Sequence, residues 1–267
     1  MIYPAIPCGR RGIVAYMSNK AKARTKRPVI AIDGPAGAGK STVAKAIASM
    51  FGLRYVSTGH FYRAVALKAL RLRVDLTSAE SLTALARSTD ITICQDAQGD
   101  SRTLLDGEDV TDSLTSPEVD ACVSEVARVP GVRLALLDRQ RSLLCEGGVV
   151  MDGRDIGTVV APDADVKIFL VATLEERVRR RLAQARERGC ETCHGAVADG
   201  VAHRDRIDSE REVAPLRPAP DAVIIDTTGK TPEETIAEVA RLVVCATGDR
   251  APTPVSSRAE GERACST

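Results

Sequence analysis

The chain has 267 residues, of which 44% are hydrophobic and 3% aromatic, and its formal net charge is +1 at pH 7. This length allows one large domain or two small ones, each with an aliphatic core. The near-neutral charge argues against a generally basic nucleic-acid-binding protein, and no run approaches the ~18 apolar residues that a membrane-spanning helix requires.

The first 27 residues form a basic segment that contains no acidic side chain. No apolar stretch of signal-peptide length precedes a cleavage pattern there, so we interpret residues 1–27 as a disordered extension. Two alternatives stay open. The segment could be a transit-like targeting sequence, or translation could begin later, near Met17.

An apolar run that leads into a glycine-rich turn follows at residues 29–42, VIAIDGPAGAGKST. From Gly34 to Ser41 it satisfies G-x-x-x-x-G-K-[ST], the pattern of a phosphate-binding loop, between a predicted strand and a predicted helix. Glycines let the backbone N–H groups face phosphate oxygens, Lys40 can reach the β- and γ-phosphates, and the Ser41 hydroxyl can bind Mg²⁺. The sequence therefore predicts a site for a nucleoside triphosphate and magnesium, formed by Gly34, Pro35, Ala36, Gly37, Ala38, Gly39, Lys40, Ser41 and Thr42.

Strands and helices alternate along the rest of the chain. In order, the sequence predicts a helix from Lys40 to Gly52, a strand at 53–57, helices at 59–74 and 78–88, strand-like runs at 91–94 and 102–107, helices from Ser116 and from Pro130 to Cys145, strands at 149–153 and 165–172, two arginine-rich helices up to Arg211, a strand at 222–226 and a helix from Thr231 to about Ala246. The two strand-like runs interrupt the alternation, so residues 75–115 are predicted to form an insertion beside the main sheet. The whole pattern predicts an α/β, three-layer fold with a five-stranded parallel sheet, whose strands are followed by loops at one common edge.

The two arginine-rich helices, residues 175–211, are expected to form a moving lid. Thr173 and Glu176 predict a capping box at the start of the first helix, and the polar segment 189–200 separates the two. Residues 247–267 are rich in Pro, Ser, Thr and charge and are predicted to be a disordered tail.

The eight cysteines are scattered, as expected for reduced thiols in a cytoplasmic enzyme. Cys190 to His194 spells C-x-x-C-H, which marks haem attachment in other proteins, but no signal peptide accompanies it. A zinc site that includes His203 is an alternative.

Arginines near the predicted ligand edge indicate a second anionic substrate. Arg63, Arg154 and Arg211 lie near loops at that edge, and guanidinium groups suit the neutralisation of a phosphoryl group in transfer. A GTP switch is disfavoured because it usually needs an N-K-x-D sequence, and the only asparagine is Asn19, in the extension.

Several segments together resemble the bacterial cytidylate kinase family of nucleoside monophosphate kinases. The resemblance spans about residues 28–246 and rests on IDGPAGAGKST, YVSTGHFYR (55–63), LLDGEDVTDSL (104–114), VRLALLDRQR (132–141), MDGRDIGTVVAPDADVKIFLVA (151–172) and RDRIDSEREVAPL (204–216). It implies transfer of the ATP γ-phosphate to CMP or dCMP by a monomer with a monophosphate-binding insertion and an arginine-bearing lid.

The resemblance also implies roles for individual residues. The monophosphate would meet Thr58, Tyr62, Arg63 and Arg154; cytosine would be read by Ser124, Arg133 and Asp155; the sugar-phosphate side would meet Arg204 and Asp208; and charge during transfer would be stabilised by Lys40, Arg154, Arg204 and Arg211. An aspartate suits cytosine because a carboxylate accepts a hydrogen bond from the exocyclic amine.

Two positions and one segment depart from the family pattern. Ser57 stands where the family usually has Asp, His60 stands where it usually has Ala, and segment 189–203 has few bulky apolar residues. The alternatives to a CMP kinase are a related kinase that acts on UMP or another small acceptor, and a nucleotide-binding module without activity. A nucleic-acid-associated protein that uses the basic extension is disfavoured by the net charge.

Overall fold

The computed structural model describes residues 27–96, 101–187, 189 and 193–248. The predicted N-terminal extension, except Arg27, and the predicted tail beyond Gly248 lie outside these residues. In the described part of the chain, every helix is too short or too polar to cross a bilayer.

The elements follow one another in the predicted order. They are β1 (Arg27–Asp33), α1 (Lys40–Phe51), β2 (Arg54–Ser57), α2 (Gly59–Arg71), α3 (Ala79–Ser88), β3 (Ile91–Gln95), β4 (Ser101–Leu105), β5 (Glu108–Asp109), a 3₁₀ turn (Ser113–Thr115), α4 (Pro117–Arg128), α5 (Pro130–Ser142), β6 (Gly147–Gly153), a π-helical turn (Ile156–Val160), β7 (Val166–Val171), α6 (Leu174–Glu187), α7 (His194–Glu210), β8 (Val223–Asp226) and α8 (Pro232–Thr247).

The predicted five-stranded parallel sheet is confirmed, with the strand order β2-β6-β1-β7-β8. Its strands are almost continuously apolar because helices cover both faces. The register pairs Asp33 with Gly153 and Ser57 with Asp152, so the carboxyl ends of β1, β2 and β6 lie side by side. The candidate site is built at this edge.

Alternation along β1 divides the core between the two faces of the sheet. Ile30 and Ile32 pack with α1 and α8 through residues such as Ile47 and Val243. Ala31 faces the opposite layer, which includes Met151 and Ile156. Helices α2 to α5 bury a further cluster with the insertion, centred on Phe61, Leu82, Leu114 and Leu136. The helices that carry acceptor-side residues therefore have a core of their own.

Residues 75–115 contain helix α3, close to the helix predicted at 78–88, and a three-stranded antiparallel sheet, β3-β4-β5, where the sequence indicated a two-stranded hairpin. The third strand has only two residues, Glu108 and Asp109, which is too short for a periodic signal.

Three sequence-based boundaries were wrong. Helix α2 ends at Arg71 because Arg73 adopts a left-handed conformation, with φ 54°. Helix α5 ends at Ser142, before the predicted end at Cys145, and β6 begins at Gly147, before the predicted start at residue 149. A Cβ at Gly147 would lie 2.4 Å from the Arg27 carbonyl oxygen, so glycine is required there by close strand approach.

The capping box predicted at Thr173 is only half formed. Thr173 Oγ1 accepts a hydrogen bond from the Glu176 N–H at 3.3 Å, but the Glu176 carboxylate binds Arg179 and Arg180. At the helix start predicted at Thr231, Thr231 and Glu234 form a complete capping box.

Candidate active site

The phosphate-binding loop connects β1 to α1 in the conformation that its glycines predict. Gly34, Gly37 and Gly39 have φ values of 146°, 79° and 89°. A Cβ at Gly34 would lie 2.2 Å from the Leu170 carbonyl oxygen, so only glycine fits. No side chain caps α1, and its first N–H groups are therefore available to an anion.

The remaining predicted ATP-site residues surround this helix start. Lys40 is buried, and its ammonium group donates a hydrogen bond to the Pro35 carbonyl at 2.7 Å. Ala36 and Ala38 are buried in the loop, and Thr42 is exposed in the first turn of α1. Burial lowers the pKa of Lys40 well below its ordinary value, and Arg154 and Arg204 lower it further. The negative charge of a bound polyphosphate would stabilise the charged form of Lys40 and raise its pKa.

Ser41 lies against a carboxylate that the sequence analysis did not single out. Its Oγ donates to Asp152 Oδ2 at 2.6 Å, at the end of β6. The Tyr55 hydroxyl is 3.5 Å from the other oxygen of Asp152, and Thr58 Oγ1 donates to the Asp152 carbonyl at 2.9 Å. An aspartate at the end of an apolar strand was the available signal, but only the sheet order shows that β6 neighbours β1.

Three predicted base-reading residues come from separate elements. Arg133 of α5 donates to Asp155 at 2.5 Å, and both side chains are almost fully buried. The guanidinium of Arg133 also lies 5.0 Å from the centre of the Tyr62 ring. Ser124 is buried on α4. The structure therefore joins Tyr62, Arg133 and Asp155 by direct contacts that span α2, α5 and the loop after β6.

Arg154 and Arg211 are joined through one carboxylate. Arg154 Nε donates to Asp208 Oδ2 at 2.7 Å, and Arg211 Nη1 lies 3.4 Å from Asp208 Oδ1. Arg211 also lies 3.6 Å from Asp155. The C-terminal end of α7 is thereby connected to the loop that follows β6, which places the predicted catalytic arginines beside the predicted acceptor residues.

Arg63 and Arg204 share a second carboxylate, Asp120, which sequence reasoning also missed. Arg63 donates to Asp120 at 2.5 Å and to the Leu114 carbonyl at 2.6 Å. Arg204 Nη1 lies 3.9 Å from the same Asp120 oxygen. On α4, Asp120 precedes Ser124 by one turn, so both side chains lie on the same face of that helix.

Positive charge is in excess around Arg204. Burial lowers its pKa to about 9, with further lowering by Arg154, Arg63 and Arg181 that Asp208 does not offset. Its Nε is buried without a hydrogen-bond partner. A partly buried guanidinium that has an unpaired N–H group among other cations favours the binding of an anion.

Two arginines of α6 donate hydrogen bonds to carbonyl groups of the phosphate-binding loop. Arg177 Nη1 donates to the Ala36 carbonyl at 3.2 Å, and its Nη2 lies 2.6 Å from Asp205 of α7. Arg180 donates to Thr227 and, at 3.4 Å, to the Gly37 carbonyl. Helix α6 thus contacts the loop directly, and α7 is connected to the loop through Asp205 and Arg177.

The two departures from the family pattern have different surroundings. Ser57 is buried at the end of β2, paired in register with Asp152. His60 Nδ1 lies 2.9 Å from Thr103 Oγ1, which connects the start of α2 to the inserted sheet, and burial lowers the pKa of this histidine.

The predicted cysteine motif is only partly described. Cys190 to Thr192 lie outside the described residues, and His194 begins α7. Within the described ranges, no group of three or more His, Cys, Asp or Glu side chains could hold a metal ion. The zinc and haem alternatives therefore gain no support from the residues that can be placed.

Asp33 orders the loop that carries Arg154 and Asp155. At the end of β1, its two carboxylate oxygens accept hydrogen bonds from the N–H groups of Ile156 and Gly157 at 2.8 and 2.7 Å. Burial raises the pKa of Asp33 to about 7, although these two bonds and Lys40 oppose the change.

This raised pKa predicts a pH-dependent stability. The folded protein keeps a proton on Asp33 that the unfolded chain releases above about pH 4, so stability falls as the pH rises from 4 to 7. Relative to D33N, wild type is expected to lose about 2–4 kcal/mol across this interval. Urea unfolding of both proteins at a series of pH values measures the difference, and a constant difference would contradict it.

Known proteins resemble the chain over this whole site. The sequence model of the family described as cytidylate kinase matches residues 30–244. A cytidylate kinase of Symbiobacterium thermophilum is 49% identical and covers 81% of this chain and 96% of its own length. Cytidylate kinases of Pelotomaculum thermopropionicum and Geobacillus thermodenitrificans are 51% and 50% identical, covering 78% and 82% of this chain and 92% and 97% of their own lengths.

Proposed function

The chain belongs to the cytidylate kinase family, and from this premise we propose that it transfers the γ-phosphoryl group of ATP to CMP or dCMP at the site described above. The products are ADP and CDP or dCDP. The observation that supports this assignment of the site is the convergence of Arg63, Arg154, Arg204 and Arg211 on Asp120, Asp155 and Asp208, with the Nε of Arg204 left without a hydrogen-bond partner.

ATP is bound by the loop from Gly34 to Gly39 and the start of α1. Backbone N–H groups and the positive end of the helix hold phosphate oxygens, and Lys40 neutralises charge on the β- and γ-phosphates. Arg177 and Arg180, which contact the carbonyls of Ala36 and Gly37, keep the loop in this conformation.

Magnesium fits beside Ser41 and Asp152. A hydroxyl and a carboxylate oxygen lie 2.6 Å apart there, which is the hard oxygen donor set that Mg²⁺ prefers. These two residues would hold the ion together with phosphate oxygens. Its chemistry would be to neutralise charge that develops on the β- and γ-phosphate oxygens.

Cytosine is recognised by the group that includes Asp155, Arg133 and Ser124. The Asp155 carboxylate lies between Arg133 and Arg211, at 2.5 and 3.6 Å, and can accept a hydrogen bond. The exocyclic amine of cytosine can donate to it, whereas the corresponding carbonyl of uracil would be repelled. This polarity favours CMP over UMP.

The phosphate of the acceptor is expected to meet Arg63, Arg154, Thr58 and Tyr62, and the Tyr62 ring packs on Arg133 of the cytosine-binding group. Arg154, Arg204 and Arg211 stabilise the negative charge on the transferring group, and Asp208 holds Arg154 and Arg211 in place. No general base is required because the phosphate of CMP is already largely a dianion at neutral pH.

An acceptor panel tests the proposed reaction. Release of ADP from ATP and Mg²⁺ is measured with CMP, dCMP, UMP, AMP and GMP, each at equal concentration. We expect CMP or dCMP to be used at least ~100-fold better than the purines. Preferred use of UMP would identify the related kinase, and ATP binding without turnover of any acceptor would identify a binding module.

A further inference from the structure

One carboxylate in the acceptor region belongs to neither predicted substrate-binding set. Asp120 lies in the first turn of α4, which is capped by Ser116, and 32% of its side chain is exposed. Its contacts reach Arg63 of α2 and Arg204 of α7. Asp120 therefore lies where the acceptor-binding helices meet the lid.

The charge around Asp120 is strongly positive. Burial pushes the pKa of its carboxyl group up, but Arg63, Arg181 and Arg204 outweigh burial and lower it. Even with this counter-ion present, Arg204 keeps a depressed pKa and a buried Nε without a partner. Asp120 thus reduces, without cancelling, the repulsion among arginines that come from three different helices.

A phosphate would compete with Asp120 for the same donors. Arg63 uses Nη1 on the Leu114 carbonyl and Nη2 on Asp120. Carboxylate and phosphate oxygens are equivalent acceptors for a guanidinium, but a phosphate dianion carries the larger charge. A ligand that brings a phosphate to Arg63 and Arg204 also brings it close to the negative charge of Asp120.

We propose that Asp120 is an internal counter-ion that occupies the place of the acceptor's phosphate before the acceptor binds. This inference rests on the proposed function. Asp120 holds Arg63 and Arg204 together before CMP binds and gives them up to the phosphate of CMP. Its negative charge lowers the affinity of the site for small anions such as sulfate and inorganic phosphate. Asp120 is a positioning residue in this scheme, since it acts through the two arginines.

The test compares wild type with Asp120→Asn, which removes the charge and keeps the shape. Glu125→Gln is the matched control, because Glu125 lies on the same helix, is 34% exposed and is 3.7 Å from His203 of α7. Thermal unfolding is followed with and without sulfate, and CMP binding is measured by calorimetry without ATP.

We expect D120N to unfold at a lower temperature in sulfate-free buffer and to be stabilised by sulfate at least ~2 °C more than wild type. CMP should bind D120N about 3–10-fold more tightly, since one repulsive charge is gone. E125Q should match wild type in both measurements, and Asp120→Glu should restore the weak sulfate response.

Weaker CMP binding by D120N, or a sulfate response equal to that of wild type, would overturn the counter-ion role, and Asp120 would then only orient Arg63. Asp120→Ser provides the same comparison if D120N does not fold. Failure of wild type to bind CMP would reject the proposed function, and the sulfate comparison would still decide the role of Asp120.

Discussion

Replacing Lys40 by methionine is expected to lower kcat for CMP phosphorylation by about 10³-fold or more. The ammonium group is buried at the helix start, 2.7 Å from the Pro35 carbonyl, and is positioned to neutralise phosphate charge that grows during transfer. Methionine keeps most of the side-chain volume and loses the charge. Steady-state kinetics with ATP and CMP measure the loss.

Lys45→Met is the matched control. Lys45 lies on the exposed side of the same helix, 5.8 Å from the centre of the Tyr55 ring, and is not part of the phosphate loop. Its replacement should leave kcat within about 2-fold of wild type. CMP binding without ATP should be similar in all three proteins, and a K40M kcat within ~10-fold of wild type would contradict the role of Lys40.

The second large effect is expected from Asp155→Asn. We expect kcat/KM for CMP to fall by about 10²–10³-fold, because a buried acceptor for the exocyclic amine is replaced in part by a donor. The amide can instead donate to the uracil carbonyl, so the ratio of UMP to CMP use should rise by about 10-fold or more. ATP hydrolysis without acceptor should stay within ~3-fold of wild type.

This variant also disturbs a buried ion pair, since Arg133 is 2.5 Å from Asp155. Loss of a buried partner destabilises proteins by about 3–5 kcal/mol. Asp221→Asn is the control, because Asp221, which precedes β8, lies 2.8 Å from the buried Lys167 of β7. If D155N and D221N reduce CMP use equally, and D155N leaves the UMP to CMP ratio unchanged, Asp155 does not read the base.

Much of the fold followed from local patterns. Continuous apolar runs predicted the five parallel strands, and Ser116-Pro117 and Thr231-Pro232 marked two helix starts that the structure confirms. These signals are readable because propensity and capping depend on residues that are close in sequence. The boundary at Gly147 was wrong because glycine stops helices and also permits close strand approach, and sequence alone does not separate the two.

The phosphate loop was likewise determined by the sequence itself, since its glycines, Lys40 and Ser41 are consecutive and their backbone conformation is local. The partners of the carboxylates in the site were decided by the tertiary structure. Asp152 reaches Ser41 across 111 residues, and Asp208 reaches Arg154 across 54. Within one helix, only packing distinguishes the buried Arg177 from Arg179, whose side chain is 69% exposed. A charged side chain becomes a partner only where the fold brings an opposite charge to it, because the energy of an ion pair depends on distance and burial and leaves no periodic mark in the sequence.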